Sequence, residues 1–93
     1  MTPDPKITSD AAFTWAAFGA AESFLHALSR NSKGATSCAG YILDFIAVGR
    51  LDLPPHHFID KTTALYPWLE PYRHKANRMI EHLQAERGQT CAK

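Results

Sequence analysis

The sequence predicts an all-α domain, a compact irregular bundle of about four helices. Three observations predict it. Apolar residues recur at helical spacing in four separate stretches. Between those stretches stand helix-breaking segments, "RNSKG", "GRLDLPP" and "YPWLEP", with Gly88 after the last. The one run that also reads as a buried strand, "YILDFIAV", has no second strand to pair with, and an isolated strand would leave its backbone groups unsatisfied.

Taken in order, residues 1–9 are expected to be a flexible arm, because Pro3 and Pro5 interrupt "MTPDPKITSD". Ser9 or Asp10 then accepts backbone N–H bonds at the start of a helix over roughly 10–29. Phe13, Ala17, Phe24 and Leu28 form its apolar stripe, widened by Trp15, Phe18 and Leu25. Ala12, Ala16, Ala20, Ser23 and Ala27 make a second stripe of small residues, which predicts close approach by a neighbouring helix. A second helix, 37–48, begins at Thr36 or Ser37 and stops before Gly49, expected to be a left-handed terminator. Tyr41, Ile42, Phe45, Ile46 and Val48 are its core candidates.

Pro54 and Pro55 suit the first turn of a third helix, 55–66, since that turn's N–H groups lack intrahelical acceptors. Phe58, Ile59, Ala64 and Leu65 are expected to face inward. Pro67 disfavours helical geometry at Tyr66 and ends it. Pro71 is expected to open a fourth helix, 71–87, with Tyr72, Ala76, Met79, Ile80 and Leu83 inward and Gly88 as terminator. The domain thus spans 10–87, with residues 88–93 a loose tail.

At 93 residues there is room for one core only, and 45% hydrophobic content argues against a disordered chain. Formal net charge is +1, which argues against a purely electrostatic nucleic-acid binder. The charge is uneven. Residues 1–70 carry five Lys/Arg against seven Asp/Glu, and residues 71–93 carry five against two. Cys38 and Cys91 form no CxxC motif and are read as reduced thiols of a cytoplasmic protein. The N-terminus has no signal-peptide pattern, and Thr14, Glu22, Ser23 and His26 interrupt the apolar run 11–28, so no membrane span is expected.

No cofactor motif is present, and neither a catalytic nor a metal site is expected. His56 and Asp60 share a helix face at i, i+4, but two ligands fall short of the set zinc requires. Cys38 near a helix N-terminus has no assignable base, and a small apolar cysteine entering a hydrophobic helix is the plainer reading.

Two surfaces remain. The corner "ALYPWLEPYRHKANRMI" (64–80) places Tyr66, Trp68, Leu69 and Tyr72 around a proline-stiffened turn, with Arg73 at its rim. So much apolar surface exceeds what a small core can absorb, so these residues are read as a protein-binding site. The alternative is a DNA-reading helix using Arg73, Lys75, Asn77 and Arg78. Glu81 and Glu86 interrupt that patch, and the spacings Arg78–Glu81 and His82–Glu86 suit intrahelical pairs instead.

In size and helix layout, centred on "PPHHFIDKTTALYPWLEPYRHKANRMI" (54–80), the chain resembles small all-helical antiactivators of bacterial mobile elements, which bind and silence transcriptional activators. That resemblance covers the last two helices and implies a regulatory protein that inhibits a protein partner without catalysis. It transfers no functional residue. A phage-type inhibitor of a host defence complex fits the same layout.

Overall fold

The computed structural model of the chain describes residues 5–88, with side chains described from Ala11 onward. Four α-helices follow one another: α1 Pro5–Ser29, α2 Ala35–Gly49, α3 Pro55–Leu65 and α4 Arg73–Glu86. A 3₁₀ helix, Pro67–Tyr72, joins α3 to α4. The described residues contain no strand, and the fold is the all-α bundle expected.

α1 begins at Pro5, five residues earlier than expected. Proline is favoured in a first helical turn, where its missing N–H is no loss, so Ser9 and Asp10 lie inside the helix instead of capping it. Residues 5–9 of the expected arm are thus helical, and residues 1–4, like those after Gly88, lie outside the described residues. α2 begins at Ala35 behind Gly34, with no side-chain cap from Thr36 or Ser37.

The core is one cluster. Ala17, Ala21, Phe24, Leu25 and Leu28 of α1 meet Ala35, Ala39, Ile42 and Leu43 of α2, Phe58 and Ile59 of α3, Leu69, and Ala76 and Ile80 of α4. α1 and α2 approach closely. The fully buried small residues of α1 are Ala17 and Ala21, and of the expected small stripe Ala20 and Ala27 pack against the core whereas Ala12 and Ser23 are exposed. Gly49 supports the same approach. A Cβ there would sit 2.5 Å from the Cβ of Phe13.

Gly49 is consequently a packing residue, not the left-handed terminator of α2. Arg50 takes that conformation, at φ 52°. Its N–H donates to the Ala47 carbonyl (3.2 Å) and that of Leu51 to the Ile46 carbonyl (3.0 Å), the paired bonds of a Schellman ending. α1 ends the same way, with Asn31 at φ 54° and Ser32 N–H donating to the Ala27 carbonyl at 2.8 Å. Gly88, at φ 71°, follows α4 as expected.

Tyr41 and Val48 are exposed, against expectation. They lie seven residues apart on the face of α2 that also carries exposed Asp44, away from the buried positions 35, 39, 42, 43 and 49; buried Gly40 borders that face. On α3, Thr62 and Thr63 are buried in place of Ala64 and Leu65. Their hydroxyls donate to the helix's own carbonyls, Thr62 to Phe58 at 2.7 Å and Thr63 to Asp60 at 2.9 Å. That local bonding removes the cost of burying a polar group.

Candidate protein-binding site

Pro71 lies inside the 3₁₀ helix, and α4 starts two residues later, at Arg73. The corner is therefore a helical turn that rotates successive side chains through about 120°, as three residues per turn requires. Leu69 and Trp68 are thrown to opposite sides. Leu69 has no exposed surface, and Trp68 is 62% exposed. Leu69, expected on the binding surface, is core and is corrected here. Its N–H donates to the Tyr66 carbonyl at 2.9 Å, which closes the turn over it.

Tyr66 is half-buried at the end of α3, its ring 5.1 Å from that of Trp68 in an edge-on arrangement. Its hydroxyl hydrogen-bonds to the Glu22 carboxylate of α1. That bond, together with the negative charge of Glu22 and some desolvation, holds the phenol above its ordinary pKa of 10.0. Tyr72 is half-buried and packs against the core.

Arg73 does not stand free at the rim. Its Nε donates to Glu70 Oε2 at 3.0 Å, and Nη1 lies 3.6 Å from Asp60 Oδ1. The bond to Glu70 and its charge raise the guanidinium pKa; desolvation opposes them, and Asp60 adds a lesser rise. Arg73 thus ties α3 to the corner and positions the turn that carries Trp68.

The exposed apolar surface continues where the sequence reading did not place it. Trp15 of α1 is 75% exposed and Leu65 of α3 is 71% exposed. They flank a cleft of ≈ 580 Å³, lined also by Phe18, Glu22, Lys61 and Tyr66. Trp15 stacks obliquely on Phe18 (centroids 6.5 Å), and Phe18 meets buried Phe58 edge-on at 4.8 Å. Two aromatic pairs thus border this region, Trp15 on Phe18 at one wall of the cleft and Tyr66 at the other, with Trp68 packed on Tyr66 beyond the lining.

The missed residues carried a detectable signal. Positions 15, 18 and 22 lie roughly 100° round α1 from the centre of its buried arc, at 100° per residue. They form one wall. Leu65 sits at the margin of the buried arc of α3, next to Lys61 on the rim.

The DNA-contact candidates are not brought together on one free face. Lys75 and Arg78 are exposed, Arg73 is ion-paired, and Asn77 is half-buried with its Oδ1 turned into the protein. The expected Arg78–Glu81 pair is not formed, whereas His82 Nε2 meets Glu86 Oε2 at 3.1 Å. Asp60 is engaged by Arg73 and His57 packs on Phe18 and Phe58, so the two do not join His56, which is exposed beside Asn77 and Glu81 of α4. No group of three or more His, Cys, Asp or Glu among the described residues is placed to hold a metal ion. Cys38 is half-buried and unbridged, and Cys91 lies outside the described residues. No helix among the described residues is long and apolar enough to cross a membrane.

No protein-family model, curated protein or solved structure matches this chain.

Proposed function

We propose that the chain is a small non-catalytic regulatory protein that binds a partner protein through the aromatic cleft between α1 and α3 and holds that partner inactive. One observation carries the reading. Trp15 and Leu65, both well over half exposed, line a single cleft with Phe18 and Tyr66, and exposed Trp68 packs edge-on against Tyr66 just outside it. Contiguous apolar surface around a cleft marks an interaction site far more often than scattered exposed residues do, and tryptophan is enriched among binding hot spots. Stiffening supports it further. Pro67 and Pro71 restrict the turn beneath Trp68, and the Arg73 ion pairs brace it, so little entropy is lost on docking.

The partner class follows from the resemblance of α3 and α4 to antiactivators, which makes a transcriptional activator the partner to test first. The test uses the full chain and a Trp15→Ala/Leu65→Ala variant as baits in extracts of the native cell. A captured protein is then purified and titrated against both by calorimetry, and its activity is measured in their presence. The expected result is stoichiometric binding and inhibition by the wild type, with at least about tenfold weaker binding by an equally folded variant. Equal binding by the two, or binding without inhibition, overturns the proposal.

A further inference from the structure

A second cleft, of ≈ 540 Å³, lies between the N-terminal turns of α2 and the length of α4, and shares no lining residue with the aromatic cleft. Its apolar surface comes from Ala39, Met79 and Leu83, and its rim from His74, Lys75, Arg78 and His82. Glu86 is the sole carboxylate lining it and is already engaged by His82. The charges nearby are sorted. Arg73 is paired with Glu70 and Asp60, and Arg87 with Asp44 at 2.9 Å, whereas Lys75 and Arg78 have no ion-pair partner among the described residues. Lys75 and Arg78 therefore stand as unpaired cations at the edge of an apolar trough, while the carboxylate of Glu81, also without an ion pair among the described residues, lies on α4 outside its lining.

We propose that this cleft docks an acidic amphipathic segment of a protein, its apolar side chains seated on Met79 and Leu83 and its carboxylates against Lys75 and Arg78. Charge complementarity selects that occupant. An apolar floor offers phosphates nothing, and two permanent cations release too few counterions to hold a duplex at physiological salt. An acidic amphipathic helix satisfies floor and rim together, with steering by the rim charges and anchoring by the apolar side chains. The inference is independent of the aromatic cleft, since it rests on different residues.

The test selects peptides from a random displayed library on the intact chain, counter-selected on a Lys75→Glu/Arg78→Glu variant. Both positions are exposed, so the fold is expected to survive, and Lys75→Gln/Arg78→Gln replaces the variant if circular dichroism shows otherwise. An enriched peptide is then labelled with fluorescein and titrated by anisotropy. The expected peptides interleave Asp or Glu with large apolar residues at helical spacing. Binding is expected to weaken at least about tenfold on the charge-altered variant and on replacing the peptide's acids by amides, and to be unchanged by Trp68→Ala. Peptides without acidic enrichment, or equal binding by variant and wild type, overturn the proposal. So does loss on Trp68→Ala, which would assign the peptide to the aromatic cleft. Tighter binding of a labelled DNA duplex than of the peptide overturns it in favour of nucleic acid.

Discussion

Trp68 and Leu69 are neighbours in sequence and opposites in the fold, and replacing each by alanine separates surface from core at a single turn. Leu69 is fully buried beneath the 3₁₀ helix among residues of the core cluster. Its truncation removes three carbons' worth of buried contact and leaves a cavity, a change that costs about 3–5 kcal/mol where surrounding helices cannot collapse. Trp68 has a little over a third of its surface covered, and its ring meets that of Tyr66 edge-on. At about 25 cal/mol per Å² over roughly 70 Å² of lost contact, Trp68→Ala costs about 1–2 kcal/mol at most.

A domain of this size has a total stability of roughly 5–14 kcal/mol, and each kcal/mol moves its melting point by about 4–8 °C. Leu69→Ala is therefore expected to lower Tm by upwards of about 12 °C. Urea unfolding followed by far-UV circular dichroism measures both variants, with an unchanged slope confirming that only stability moved. Partner affinity is expected to respond in the opposite order, with Trp68→Ala costing binding about 2 kcal/mol or more. If Trp68→Ala destabilises the fold as much as Leu69→Ala does, Trp68 is a core plug and the binding surface loses its outer anchor.

Gly49→Ala drives a methyl group to within 2.5 Å of Phe13 Cβ, near its backbone, so α1 and α2 must separate; a loss of about 1–3 kcal/mol is expected in the same urea assay. Arg50→Gly removes a side chain from the left-handed ending of α2 and is expected to stabilise by about 0.5–1 kcal/mol, read as a higher Tm. The Tyr66–Glu22 bond gives a pH signature. Because the folded phenol has a raised pKa, its stabilising contribution is complete below the ordinary value of 10.0 and is lost as pH rises through the higher folded value. Ultraviolet titration of tyrosinate should show the Tyr66 phenol ionising above its ordinary value of 10.0 in the wild type, and Glu22→Gln should lower it; an unchanged Tyr66 titration refutes the bond.

Much of the fold was legible because helix periodicity and proline or glycine punctuation act locally. Pro55 at the start of α3, Gly88 after α4 and the inward stripe Ala76, Met79, Ile80 and Leu83 needed no tertiary information. The failures share a cause. Tyr41, Val48 and Leu65 are apolar residues that lie at or beyond the margins of buried arcs, and which margin is covered depends on where the neighbouring helix crosses. Thr62 and Thr63 were passed over for the converse reason: they look polar until their hydroxyls return to the α3 backbone. Gly49 shows the same limit in the backbone. A glycine after an apolar run reads as a terminator, but its missing side chain is used for contact with Phe13, and Arg50 bears the left-handed strain instead. The same uncertainty explains the candidate site. A proline-rich aromatic corner drew the reading toward residues contiguous in sequence, so Leu69 was included and Trp15 and Leu65 were placed in the core. A cleft between α1 and α3 is assembled from residues some fifty positions apart, and tertiary packing such as that of Phe18 onto Phe58 and His57 brings its two walls together. Any substitution that loosens that edge-on contact therefore acts on the cleft's shape without touching its rim.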